Sequence, residues 1–122
     1  MLTGDKIETA KCIAIATGLL AKGQEIYEMV QLTTVKSVLQ SIKEFKMYAG
    51  SRMLMVDGNS LAIICSEDDL VTEFFEVAKQ AKTVCICRCS PKQKALVANN
   101  IKRITGKRIA CVGDGGNDVA MI

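Results

Sequence analysis

The sequence predicts an α/β domain with a mostly parallel sheet that carries helices on both faces. Two observations favour this class. Segments with helical periodicity alternate along the chain with short apolar segments, as in βαβ units. Two of these apolar segments, TVCICRC at 83–89 and RIACVG at 108–113, lack polar alternation, which is typical of central strands covered on both faces. The whole chain, 1–122, is predicted to form a single domain around one core.

Three segments show helical signals before residue 82. The first, at 5–18, begins with Asp5 and Glu8 at the spacing of a capping box. Its middle is apolar all round, so we expect this helix to be enclosed. The second, at 33–45, places its apolar residues on one face. The third starts at Ser66 and has three acidic residues in its first turn, which suits the helix dipole.

The fourth helix has the clearest boundaries. Ser90 is placed as the N-cap, Pro91 as the first helical residue and Gln93 as the partner in a capping box. Gly106 ends the helix.

Strands are predicted in the intervening apolar segments, at 28–32, 52–56 and 61–66 in addition to the two segments named above. The residues DGNS at 57–60 separate two of these segments. Such a turn sequence between two apolar runs predicts a hairpin.

The composition excludes several kinds of protein. A net charge of +3 is too small to indicate a nucleic-acid partner, and no apolar run approaches the ~20 residues of a membrane span. The first residues lack the apolar core of a signal peptide, so a soluble intracellular domain is expected. The absence of histidine excludes Ser-His-Asp triads and histidine-ligated zinc.

Six cysteines, at 12, 65, 85, 87, 89 and 111, all lie in apolar runs. Alternation in the strand VCICRC places Cys85, Cys87 and Cys89 on one face, spaced by ~6.6 Å. That spacing is too wide for shared zinc ligation or for a disulfide. We therefore expect reduced, buried cysteines that fill space in the core.

Polar residues follow the last two predicted strands, at the edge where parallel α/β sheets place their sites. Asp114 lies in the loop GDGGND, where a carboxylate among glycines suits Mg²⁺. Asn117 and Asp118 can orient Asp114 or the metal waters. The alternative is a Gly-Asp turn that only caps the next helix.

Two basic residues precede this loop. Lys94 lies in a first helical turn, where the dipole favours an acid, and it makes sense there if it neutralises a phosphoryl group. Arg88 ends an otherwise apolar strand and can face an anion. Thr3 and Gly4 precede a helix N-terminus, where a hydroxyl and free N–H groups bind anions, although Thr3 can equally be a cap.

These residues predict a phosphoryl-transfer site without a nucleophile. Asp57 is the one candidate, and we decline it for two reasons. The residue two positions later is Asn59, so no second carboxylate follows, and DGNS is predicted to be a hairpin turn.

The motifs resemble those of a known superfamily. The sequence GDGxND, a preceding lysine near a helix start and a threonine at a strand end are similar to motifs four, three and two of the haloacid dehalogenase superfamily. TGD followed by ETA resembles the P-type ATPases, and CRCSPKQKALV resembles the phosphorylation domain of their type IV, lipid-flipping branch. ETAKCIAIATGL and the second glycine of GDGGND are most similar to the divergent branch associated with Golgi and endosomal membranes. The sequence VDGNSL also matches the flippases.

This resemblance implies a Rossmann-like haloacid dehalogenase fold and a chain that is the C-terminal part of a phosphorylation domain. The family's nucleophile lies in a DKTGT motif, which does not occur here, so the first motif strand is missing. The resemblance assigns catalysis to Thr3 and Lys94, and Mg²⁺ to Asp114 with Asp118. The residues that it assigns to phosphate and nucleotide are Thr3, Gly4, Asp5, Arg88, Lys94 and Asn117.

The implied parent is an ATP-driven phospholipid-translocating ATPase with Mg²⁺ as cofactor. Its partners would be ATP, phospholipid and the remaining ATPase domains in the same chain, with room for an accessory subunit. The isolated chain is expected to be inactive. Two alternatives stay open: a soluble Mg²⁺-dependent phosphatase of the same superfamily, and a non-catalytic interaction module derived from this fold.

Overall fold

A three-stranded parallel sheet forms the centre of the fold, and the computed structural model describes all 122 residues. The elements in chain order are α1 (Ile7–Ala16), β1 (Ile26–Met29), α2 (Val35–Lys46), β2 (Met53–Asp57), α3 (Gly58–Ile64), α4 (Asp68–Ala78), β3 (Val84–Cys87), α5 (Pro91–Thr105) and a 3₁₀ turn (Gly116–Asp118). The strands lie in the order β1-β2-β3, and both pairings are parallel. The predicted α/β class with a parallel sheet is confirmed.

The sheet is buried on both faces because its alternate residues enter two separate apolar clusters. The smaller cluster lies under α1 and consists mainly of Ala10, Ala14, Met53, Met55, Cys85 and Cys87. The larger cluster joins the opposite face of the sheet to α2, α3, α4 and α5, and includes Leu54, Val56, Ile86, Phe45, Phe74 and Val97. Each of the larger side chains stabilises the fold by roughly 1.5–3 kcal/mol through burial.

The boundaries of α5 agree with the prediction. Ser90 Oγ accepts a hydrogen bond from Gln93 N at 3.2 Å, and Gln93 Oε1 accepts one from Ser90 N at 3.0 Å. Pro91 opens the helix, and Gly106 closes it with a φ of 63°. The second predicted helix is also confirmed, with Thr34 as its N-cap.

Helix α1 differs from its prediction in two respects. It begins at Ile7, and the predicted capping box between Asp5 and Glu8 does not form, because Asp5 bonds to Thr3 instead. The helix is also not enclosed, since it rests on the sheet with one side only. Ala10 and Ala14 are fully buried, whereas Ile15 is 62% exposed.

The predicted hairpin at 57–60 is wrong. Strand β2 leads directly into helix α3, and the segment at 61–66 is helical up to Ile64. Asp57 caps this helix, with its Oδ1 accepting a hydrogen bond from Ser60 N at 2.8 Å. Strands β1 and β3 already pair with both edges of β2, so no edge is left for a hairpin partner.

Two element boundaries shift by about two residues. Strand β1 begins at Ile26 and ends at Met29, earlier than the predicted 28–32. Helix α4 begins at Asp68 with Glu67 in the cap position. Ser66 is not its cap, because the Ser66 hydroxyl donates a hydrogen bond back to Ile63 O at 2.6 Å and so closes α3.

The segment at 108–113 does not form the predicted strand. It has strand-like composition but pairs with no strand, and Val112 is 91% exposed. The edge of β3 that β2 leaves free is bridged by Leu2, which pairs in parallel with Ile86. A strand needs hydrogen-bonding partners for its backbone, and this segment has none.

All six cysteines are free thiols, and Cys85, Cys87 and Cys89 are buried as predicted. Cys12 is exposed, so the prediction of burial is wrong for that residue, and Cys65 and Cys111 are only half-buried. The three strand cysteines do not share one face. Cys85 and Cys87 pack under α1, but Cys89 enters the other cluster, because β3 ends at Cys87 and Arg88 adopts a left-handed φ of 49°.

None of the five α-helices combines the length and the apolar character that crossing a bilayer requires.

Candidate phosphoryl-transfer site

The TGD segment and Arg88 lie where the sheet ends, whereas the GDGGND loop follows a segment that is not a strand. Leu2 extends the sheet beyond β3, and the loop that follows it is held by backbone hydrogen bonds. Thr3 N donates to Ile86 O at 2.9 Å, and Cys89 N donates to Thr3 O at 2.9 Å. Arg88 N donates to Asp5 O, also at 2.9 Å. The TGD segment and the start of the β3–α5 connection therefore form one unit.

Within this unit the Thr3 hydroxyl bonds to its own loop. It donates to Asp5 Oδ2 at 3.0 Å and accepts from Asp5 N at 3.1 Å. Thr3 is not the cap of α1, since Lys6 occupies that position without a side-chain hydrogen bond. The first N–H groups of α1 are consequently left without a side-chain cap, next to an exposed Gly4 and Asp5.

A buried ion pair connects α5 to the GDGGND loop. Lys94 Nζ donates a hydrogen bond to Asp118 Oδ1 at 2.8 Å, and the two side chains are only 6% and 10% exposed. The hydrogen bond from Lys94 holds the pKa of the Asp118 carboxyl below its usual range. Lys94 is therefore a fixed, partnered cation and not a solvated one.

The loop folds tightly around this aspartate. Asp118 Oδ2 accepts a hydrogen bond from Gly115 N at 3.3 Å. A Cβ at Gly113 would lie 2.3 Å from Asp118 Cβ, so no other residue fits there without moving the carboxylate. Asp114 is exposed, and its carboxylate makes no hydrogen bond or ion pair.

A cavity of about 960 Å³ is lined by the TGD segment, by α5 and by the GDGGND loop. The predicted site residues that line it are Thr3, Gly4, Asp5, Lys94, Asp114, Asn117 and Asp118. Arg88 is the exception. It is exposed and lines a separate cavity of about 200 Å³ beside Gln31 and Asp57.

The site suits a magnesium ion, with Asp114 as its protein ligand. Mg²⁺ is usually held by one or two carboxylates together with waters and substrate phosphates. The free carboxylate of Asp114 suits that role, whereas Asp118 is already bonded to Lys94 and to Gly115 N. No group of three or more acidic or sulfur ligands comes together anywhere in the fold. Direct ligation by Asp118 stays a prediction.

Two features of this region were missed from sequence. The sequence motifs assigned Lys94 to the phosphoryl group and Asp118 to the metal, whereas the structure pairs these two side chains with each other. The residue Asp57 is 7% exposed, and its carboxylate accepts two backbone hydrogen bonds, from Ser60 N and Gln31 N. An aspartate three residues before a serine and a following apolar run is also a helix N-cap signal, and that signal could have identified α3.

Comparison with known proteins identifies relatives over the whole chain. The sequence is 42% identical over 122 residues to "Phospholipid-transporting ATPase NEO1" of Saccharomyces cerevisiae and 39% identical over 122 residues to "Probable phospholipid-transporting ATPase IIB" of Homo sapiens. It is 36% identical over 140 aligned residues to "Probable phospholipid-transporting ATPase 5" of Arabidopsis thaliana. Each alignment covers 100% of this chain.

This chain is homologous to one segment of the type IV phospholipid-transporting ATPases. The resemblance to the type IV, lipid-flipping branch that was inferred from the motifs is thereby confirmed. The chain spans only about a tenth of the length of these curated relatives, 10–11%. No family model matches the sequence.

Proposed function

We propose that this chain is part of the cytosolic catalytic domain of an ATP-driven phospholipid-translocating P-type ATPase that cycles through an aspartyl phosphate. The alignment carries the proposal, and the geometry of the site agrees with it. The chain aligns from end to end with ATPases of this kind, and the three motif residues Thr3, Lys94 and Asp114 line a single cavity. Phosphoryl transfer depends mainly on positioning and charge stabilisation, and these residues supply both.

Each residue has a distinct task in this proposal. The Thr3 hydroxyl and the uncapped N–H groups at the start of α1 bind the transferring phosphoryl group. The Lys94 ammonium, held in place by Asp118, neutralises its oxygens. Asp114 holds Mg²⁺, which supplies further charge stabilisation when bound. Gly4, Asp5 and Asn117 line the same cavity and bind the phosphates or the nucleotide, whereas Arg88 would have to reach the nucleotide from the neighbouring cavity.

The phosphoryl acceptor is an aspartate of the same ATPase in a DKTGT motif, which these 122 residues do not contain. The carboxylate of Asp57 is unsuited to that role, because its two oxygens already accept hydrogen bonds at 2.8 and 2.9 Å. Covalent catalysis by a carboxylate divides ATP hydrolysis into two easier steps.

The transported substrate in this proposal is a phospholipid, as the names of the relatives state for those proteins. We place the ATPase in Golgi or endosomal membranes, on the resemblance of ETAKCIAIATGL and GDGGND to the branch found there. Its other partners are the remaining domains in the same chain, together with any accessory subunit.

The test uses the intact ATPase that contains these residues. Incubation with radioactive ATP should label the protein in a Mg²⁺-dependent and hydroxylamine-sensitive manner, as an acyl phosphate requires. Replacing the aspartate of the DKTGT motif by asparagine is the control and should abolish the labelling. Labelling that survives this change, or that resists hydroxylamine, would refute the proposed mechanism.

A further inference from the structure

Three neighbouring loops at the carboxyl end of the sheet are joined by side-chain hydrogen bonds. Gln31 N, just after β1, donates to Asp57 Oδ2 at 2.9 Å, and Leu32 N donates to Ser60 Oγ at 3.1 Å. Gln93 Nε2 in α5 donates to Gly58 O at 2.7 Å. The β2–α3 junction is thus hydrogen-bonded to the loop after β1 on one side and to α5 on the other.

Gln93 uses both ends of its amide group. Its Oε1 accepts a hydrogen bond from Ser90 N within the capping box, at 3.0 Å, and its Nε2 makes the bond to Gly58 O. A glutamate at this position could complete the capping box, and its charge would suit the helix dipole better. A carboxylate has no donor, however, so only the amide can also hold Gly58 O.

The contact at Gly58 is close. A Cβ at this position would lie 2.3 Å from Arg88 O and 3.0 Å from Gln93 Oε1. The β2–α3 turn therefore touches the loop that leads into α5, and any side chain at Gly58 would force the two apart.

The start of α5 and the residue before its N-cap are consequently held from two directions. On the TGD side the bonds involve only backbone atoms, with Cys89 N donating to Thr3 O. On the opposite side the connection depends on the side chain of Gln93. Lys94 is the next residue, and its ammonium must reach Asp118 across the cavity.

We propose that Gln93 is a positioning residue for phosphoryl transfer, which acts by fixing the α5 turn that presents Lys94. This inference rests on the function proposed above. Loss of the bond to Gly58 O allows the first turn of α5 to move, and Lys94 then loses its alignment with the phosphoryl oxygens. Small misplacements of a catalytic group can lower rates by 10–100-fold.

The test compares Gln93→Glu and Gln93→Met in the intact ATPase. Gln93→Glu keeps the capping box and removes only the donor to Gly58 O, whereas Gln93→Met removes both bonds without adding charge. Lys92→Gln is the matched control, because it changes the net charge by the same amount as Gln93→Glu at an exposed side chain that makes no hydrogen bond or ion pair. Gly58→Ala disturbs the same contact from its other side.

The measured quantities are the rate constant of phosphoenzyme formation, its dependence on ATP concentration and the fraction of enzyme that becomes labelled. We expect Gln93→Glu, Gln93→Met and Gly58→Ala to lower the rate constant about tenfold, with the labelled fraction and the KM for ATP unchanged. Lys92→Gln should match the wild type. A smaller labelled fraction with an unchanged rate constant would show a merely structural role and overturn the inference.

A double substitution tests whether Gln93 acts through Lys94. In a Lys94→Ala background, Gln93→Met should have no further effect on the rate constant, because the positioned group is absent. Independent, additive effects would overturn the inference. If the intact wild-type enzyme is not labelled by ATP at all, the proposed function fails. If it is labelled and Lys94→Ala slows it while the Gln93 variants do not, only this inference fails.

Discussion

Lys94 and Asp118 form a buried ion pair at 2.8 Å between the first turn of α5 and the end of the GDGGND loop. The pair joins two of the three sequence motifs of the site physically. It also leaves Asp114 as the one carboxylate of the loop that is free to bind a metal.

Asp118→Asn should destabilise the fold at neutral pH, because it leaves the Lys94 ammonium buried without a counter-ion. The ion pair depresses the folded-state pKa of Asp118 below its unfolded value of roughly 3.9. The stabilisation is therefore complete above that pH and is lost as the pH falls through the lower, folded-state pKa. Thermal unfolding from pH 7 to pH 2 should show the wild type and the variant converging in acid. Asp114→Asn, at an exposed carboxylate, is the control and should behave like the wild type. A difference in melting temperature between the wild type and Asp118→Asn that stays the same at all pH values would contradict a stabilising ion pair between Lys94 and Asp118.

Lys94→Ala and Asp114→Asn should each slow phosphorylation of the intact ATPase by ~10²-fold or more, because Lys94→Ala removes a positive charge that faces the phosphoryl oxygens and Asp114→Asn removes the carboxylate that would hold Mg²⁺. Rapid-mixing measurements of phosphoenzyme formation test this expectation. Lys92→Ala, at the exposed neighbouring lysine, should leave the rate unchanged. If Lys94→Ala and Lys92→Ala are equally active, the role assigned to Lys94 is wrong.

Magnesium should bind the 122-residue chain weakly, with a Kd on the order of millimolar, because Asp114 is the only unpaired carboxylate of the loop. Isothermal calorimetry measures this Kd directly, and Asp114→Asn should abolish the heat of magnesium binding. Micromolar binding would reveal a set of ligands that the structure does not show.

The thiols should differ widely in reactivity towards iodoacetamide at pH 8. Burial raises the pKa of Cys85 and of Cys89 to about 11, so only about a thousandth of either is the reactive thiolate at this pH. Cys12 is exposed and should be labelled first. Mass spectrometry of timed samples gives the order, and all six thiols should react in denaturant. Fewer than six would indicate a disulfide that the fold does not contain.

The isolated chain should form no acyl phosphate with ATP, because it holds groups that stabilise a phosphoryl group but no carboxylate placed to accept one. Incubation with radioactive ATP, acid quench and gel analysis test this. Asp57→Asn is the critical variant. Labelling that occurs in the wild-type chain and disappears in this variant would make Asp57 the nucleophile.

Sequence patterns predicted the elements whose signals are local. Helix α5 has a cap, a proline and a terminal glycine within its own residues, and its bounds were predicted closely. The loop GDGGND and the residue Lys94 were also assigned to one site from their positions after strands, and both line the same cavity.

The errors arose where tertiary contacts decide the structure. The apolar run after Asp57 is short enough to be either strand or helix, and it is helical because both edges of β2 are already paired. The run at 108–113 has the composition of a buried strand but finds no pairing partner. Ile15 is exposed because only one side of α1 meets the sheet. In an all-apolar segment, the sequence periodicity does not show which side that is.

The pairing of Leu2 with Ile86 has a consequence for how the chain folds. It joins the first residues to β3 across most of the sequence, whereas β1, β2 and the helices between them are neighbours along the chain. Contacts between distant residues carry the largest loop-closure cost and form slowly. We therefore expect the β1–β2 layer to assemble first and the TGD loop to dock last. Thr3 and Gly4, which we propose bind phosphate, would be among the last residues to become ordered when this chain folds and the first to detach under mild denaturation.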